Sequence, residues 1–86
     1  MNYEIKFTKT AQKQVDLCEA AGLYNKLKEL LDVIRVNPFQ NPPPYEKLRG
    51  LENVYSRRLN RQHRLVYHVD TEMRRIKIVS IWTHYE

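Results

Sequence analysis

Glu46 is the one carboxylate inside "NPFQNPPPYEKLRG", residues 37–50, a stretch that holds all four prolines of the chain. Lys47 and Arg49 lie close to it in sequence, and the chain closes on "SIWTHYE", which delivers His84 and Tyr85. A carboxylate can take a proton and an imidazolium can give one near neutral pH. Arginine can grip two phosphate oxygens at once. Together these are the parts for displacement at an RNA phosphodiester: a base for the 2′-OH proton, an acid for the departing 5′-oxygen, and cations for the charge that builds at phosphorus. Histidine so near a terminus is commonly just a solvated residue, so pairing Glu46 with His84 depends on what positions the two.

The cations are unevenly spread. The chain of 86 residues has a net charge of +5. Residues 8–36 are nearly balanced, with Lys9, Lys13, Lys26, Lys28 and Arg35 against Asp16, Glu19, Glu29 and Asp32. Between positions 47 and 64, by contrast, Lys47, Arg49, Arg57, Arg58, Arg61 and Arg64 face only Glu52. An arginine-dominated segment suits phosphate, and Tyr45, Tyr55, Tyr67, Trp82 and Tyr85 interleave with it as flat faces for unpaired bases. Two readings temper this. Arg57 and Arg58 are neighbours on an expected strand and point to opposite faces, while Tyr67 and Trp82 fit a core as well as they fit a base. Single-stranded RNA remains the leading partner. A metal centre is not expected, because His63 and His68 are five apart on an expected strand, and Cys18, the single cysteine, reads as a small core residue.

The elements that must position these groups follow from periodicity. "YEIKF" alternates, so residues 2–7 read as a strand, and Thr8 reads as an N-cap. Ala11, Val15, Cys18 and Gly22 set a first helix ending near Gly22. Leu23, Leu27, Leu30, Leu31 and Ile34 set a second, stopped near Asn37 by Pro38. The short link makes them a helical hairpin. The proline-rich stretch reads as a stiffened loop that presents Tyr45 and Glu46. "VYSRRL", "HRLVYHV" and "IKIVSIWTHY" read as three antiparallel strands, the last two joined by a turn that begins at Asp70. The expected class is α+β: an N-terminal strand, a helical hairpin, then an antiparallel sheet with helices on one face and the other face free.

Length allows one domain, residues 1–86. No apolar run is long enough for a membrane span, and "MNYEIKFTK" has no signal-peptide character, so the expected location is the cytosol.

The joint order of "PYEKL", "SRRLNRQHRLVYHV" and the terminal "HY" resembles the YoeB/Txe group of bacterial toxins, within the RelE/ParE superfamily of toxin-antitoxin systems. It spans essentially the whole chain, including the hairpin and the "NPF" after it. The resemblance implies a microbial-ribonuclease type of fold and an endoribonuclease that cuts mRNA in the ribosomal A site and so inhibits translation. It implies no cofactor, an antitoxin partner whose C-terminal segment wraps the toxin, and self-association into a homodimer as a further option. Carried over by position, Glu46 becomes the general base, Arg64 the stabiliser of the scissile phosphate, His84 the general acid and Tyr85 an orienting residue. Arg49, Arg57, Arg58 and His63 become RNA contacts. Glu86, after the terminal pair, departs from the pattern. Two rivals stay open: a gyrase-inhibiting relative with the same fold, and a non-catalytic RNA- or ribosome-binding module.

Overall fold

The computed structural model describes residues 2–81. Strand β1 (Glu4–Phe7) leads into helix α1 (Lys9–Ala20) and helix α2 (Tyr24–Val36), followed by β2 (Tyr45–Lys47), β3 (Val54–Arg58), β4 (Arg64–Asp70) and β5 (Arg75–Ser80). The first helix starts where expected: the Thr8 hydroxyl accepts from the Ala11 N–H at 3.0 Å, and it also donates to the Val79 carbonyl, which ties the cap to β5. It ends in a Schellman motif. Leu23 N–H reaches the Cys18 carbonyl at 2.8 Å and Gly22 N–H reaches Glu19 at 3.1 Å, with Gly22 at φ +76°, where a side chain is disfavoured. At the β4–β5 turn the Asp70 carboxylate accepts from the Met73 N–H, and Arg74, at φ 54°, supplies the positive angle that no glycine is there to provide.

The five strands run in the order β1-β5-β4-β3-β2. β3, β4 and β5 pair antiparallel as expected and β2 adds antiparallel to β3, but β1 joins β5 in parallel, so the sheet is mixed. The chain returns from β1 through the hairpin, which lets the first strand lie beside the last with the same direction. Strand β2 was not foreseen. Its three residues are too few to show alternation, and the sequence around it carries four prolines.

Both helices close over one face of the sheet. Ala11 and Cys18 of α1 and Leu27, Leu30 and Ile34 of α2 pack on Leu65, Tyr67, Val69, Ile76 and Ile78, which alternate along β4 and β5. Phe39, Tyr45, Tyr55 and Tyr67 continue this packing as a chain of tilted and edge-on rings, with centroids 5.2 to 6.1 Å apart. Beside them Arg57 is only 1% exposed. Its guanidinium donates to the Tyr67 hydroxyl at 2.9 Å and to the carbonyls of Pro38, Gln40 and Pro43, and it sits 5.0 Å from the Tyr45 ring centroid. The Tyr67 hydroxyl in turn donates to Pro38 at 3.0 Å. Thus the proline-rich loop, two of whose peptide bonds (Asn41–Pro42 and Pro42–Pro43) are cis, is fastened by a buried arginine as well as by its own prolines.

Candidate active site

On the opposite face the register gathers a carboxylate and two guanidinium groups. Glu46 of β2 lies across from Ser56 of β3, while Arg58, two residues further along β3, lies across from Arg64 of β4. Glu46 and Arg58 are therefore diagonal neighbours, about 7–8 Å apart at the backbone and within mutual reach of their side chains. Pro44, Tyr45, Glu46, Ser56, Arg58 and Arg64 line a cleft of about 120 Å³. Glu46 is exposed, and no ion pair ties it up among the described residues. Arg58 and Arg64 stand directly opposite each other, and like charges so placed repel unless an anion lies between them. The arrangement offers a free proton acceptor beside a phosphate-sized pair of cations.

Other expected residues fall elsewhere. Arg57 is corrected: it was expected to contact RNA, but it points to the helix side of the sheet, buried, with its donors turned onto backbone carbonyls and Tyr67. Four of its five N–H donors are engaged, and at 1% exposure the group is closed to a phosphate. Arg49 is exposed in the turn after β2, outside the cleft lining. His63 is half-buried in the β3–β4 turn, where its backbone N–H donates to the Asn60 carboxamide oxygen at 2.7 Å. His84 and Tyr85, with Trp82 and Glu86, lie outside the described residues. Tyr67 belongs to the core, and burial pushes its phenol above the ordinary value, against the lowering effect of Arg57. The Cys18 thiol is buried and pushed up by that burial. Ser56, 3% exposed, lines the cleft without having been singled out. Its even spacing from Arg58 on an alternating strand was the signal that could have found it. Among the described residues no three His, Cys, Asp or Glu side chains converge as a metal-ligand group.

Comparison with known proteins fits this geometry. Residues 10–85 match the YoeB-like toxin of bacterial type II toxin-antitoxin systems. The structure of a YoeB dimer from Staphylococcus aureus superposes with a TM-score of 0.84 at 35% identity, covering 99% of this chain and 100% of that one. The same protein in its YoeB-YefM complex gives 0.79 at 35% identity over the same shares. An archaeal RelE-RelB complex from Pyrococcus horikoshii gives 0.79 at 26% identity, covering 96% of each chain. No curated protein sequence gives a significant match. With a family match across nearly its whole length, the chain belongs to the YoeB-like toxins of bacterial type II toxin-antitoxin systems.

Proposed function

We propose that the chain is an endoribonuclease that cuts mRNA on the translating ribosome by metal-independent acid-base transesterification. The observation that carries the reading is the convergence of Glu46, Arg58 and Arg64 on one cleft. Ionised Glu46 removes the 2′-OH proton, and the 2′-oxygen attacks the adjacent phosphorus. Arg64, with Arg58 across from it, balances the charge on the phosphoryl oxygens. The bond to the 5′-oxygen breaks as His84 protonates that oxygen, and Tyr85 orients the substrate. The products are a 2′,3′-cyclic phosphate and a free 5′-hydroxyl. Message held in the ribosomal A site supplies the alignment that a small open cleft lacks.

The relatives crystallised with YefM and with RelB support an antitoxin partner here, and the dimeric relative supports self-association. The described residues contain no helix long and apolar enough to cross a membrane, which is consistent with work on cytoplasmic ribosomes. The reaction is assigned to a single domain, residues 1–86.

The test is message cleavage in a translating extract by wild type, Glu46→Gln and His84→Gln. A general acid or base contributes about a hundred- to ten-thousandfold, and each variant is expected to lose at least that lower factor while still binding ribosomes. Undiminished cutting by Glu46→Gln sinks the base assignment. Translation arrest without cutting by wild type returns the chain to a binding module.

A further inference from the structure

We propose that Lys6, Lys77 and His68 form a second RNA phosphate subsite, separate from the cleft around Glu46; this rests on the ribonuclease reading above. The three residues make one row across three strands: Lys6 of β1 is paired with Lys77 of β5, and Lys77 with His68 of β4. His68 lies four positions from Arg64 on β4, an even spacing, so the row shares the face that carries the cleft. Along the strand the separation is about 14 Å at roughly 3.4 Å per residue. A cavity of about 240 Å³ lies over the row, lined by Lys6, His68, Asp70, Arg75, Ile76 and Lys77.

What marks the row is a pair of cations without an ion-pair partner. Of the nearby acids, Glu4 pairs with Arg75 at 3.6 Å, and Asp70, which lines the cavity opposite Arg75, keeps its charge while accepting from the Met73 N–H. Among the described residues neither Lys6 nor Lys77 has an ion-pair partner, although both are exposed and stand directly opposite each other. Like charges opposed across a sheet are destabilising, and an anion between them removes that cost. The same pattern recurs where Arg58 opposes Arg64. One face of the sheet thus carries two cation pairs, one across β3 and β4 and the other across β5 and β1, and this repetition suits the successive phosphates of a single RNA strand better than the isolated carboxylates of an acidic peptide. Lysine meets phosphate as a mobile point charge, fitting a backbone held without sequence readout.

The experiment measures binding of the full chain to a short, unstructured, fluorescein-labelled 2′-O-methyl oligonucleotide, which cannot be cut, across a range of KCl concentrations. Lys6→Gln/Lys77→Gln is expected to bind about tenfold more weakly at low salt, with a log-log salt slope shallower by about 1.4, two contacts at about 0.7 each. Lys9→Gln/Lys13→Gln, on α1 behind the sheet, should keep the wild-type slope. The double variant should melt no lower than wild type, since it removes a repulsion. A parallel arm measures sedimentation with ribosomes. Loss on the free oligonucleotide assigns the subsite to message, whereas loss on ribosomes alone assigns it to ribosomal RNA phosphate. Wild-type behaviour of the double variant in both arms overturns the subsite, and if its antitoxin affinity falls instead, the row is a protein interface. A wild type that neither binds nor cuts RNA overturns the ribonuclease reading and the subsite with it, whereas a double variant that binds and cuts like a functional wild type overturns the subsite alone.

Discussion

Replacing Arg57 with methionine keeps most of the side chain's length and removes its fork of donors. Four hydrogen bonds are lost, to Tyr67, Pro38, Gln40 and Pro43. Hydrogen bonds from charged donors contribute about 1.5–3 kcal/mol each, so about 6–12 kcal/mol of interaction disappears. Two effects reduce the net loss. The Tyr67 hydroxyl still donates to Pro38, and the partly buried carbonyls of Gln40 and Pro43 can turn to water. The variant also escapes the cost of burying a guanidinium, several kcal/mol in itself. The remainder is about 3 kcal/mol, a large share of the roughly 4–13 kcal/mol that a chain of this size has in total. In a thermal melt followed by circular dichroism, the midpoint should fall by roughly 12–24 °C. Arg57→Lys should rescue little of it, because one ammonium cannot reach carbonyls from three loop positions and a phenol together. A methionine variant within about 1 kcal/mol of wild type, or full rescue by lysine, would refute the clamp. A second readout guards the reassignment of Arg57: where the variant is folded, its RNA binding should show the wild-type salt slope, and a drop of about 0.7 would return the residue to the phosphate contacts.

Gly22→Ala should cost about 1 kcal/mol by urea unfolding, through the left-handed backbone alone, since an added Cβ there meets nothing within 4 Å; no loss would mean the Schellman turn rearranges freely. For Tyr67 the folded protein holds the phenolic proton to higher pH than the unfolded chain does, because burial raises its value above 10.0. The unfolded state therefore binds fewer protons above about pH 10, and stability that is complete below that point falls as pH rises through the raised folded value. Tyr67→Phe should flatten that alkaline decline while costing about 1–3 kcal/mol at neutral pH, since Arg57 loses a buried acceptor; an alkaline limb as steep as wild type would show that other groups set it.

Periodicity made most of the scaffold readable. Thr8, Gly22 and Pro38 bracket the two helices because caps and breakers act locally, through one hydroxyl, one positive φ and one missing N–H. The alternation of residue types in β3, β4 and β5 was equally plain, although burial follows it most cleanly along β5: Ser56 and Val66 are buried on the cleft face beside Arg57 and Tyr67, which are buried on the helix face. What stayed hidden depends on contacts between residues far apart in sequence. β2 exists because β3 offers it an edge, and nothing within Tyr45–Lys47 announces a strand. The parallel seating of β1 on β5 is likewise a long-range pairing, with partners about seventy positions apart. The cleft was half legible: residue type and the proline-rich setting pointed to Glu46 and the family resemblance to Arg64, while the register was what brought Ser56 and Arg58 beside them.

Arg57 and Arg58 show why counting cations along a chain overstates a binding surface. They are adjacent in sequence and opposite in fate: one is enclosed by carbonyls, the other is exposed on the cleft. The division still serves a single end. Arg57 draws together Pro38, Gln40 and Pro43, and it is the register partner of Tyr45, the residue before Glu46. Edge strands of three residues are weakly held by their own ladder, so the position of Glu46 depends on that buried fork. The inward arginine fixes where the carboxylate stands, and the outward one, paired with Arg64, fixes where an anion can sit relative to it. Shifting β3 by one residue would exchange the two roles and dismantle both sites at once. The register of β3 against β2 and β4 is therefore the feature on which the candidate chemistry most depends.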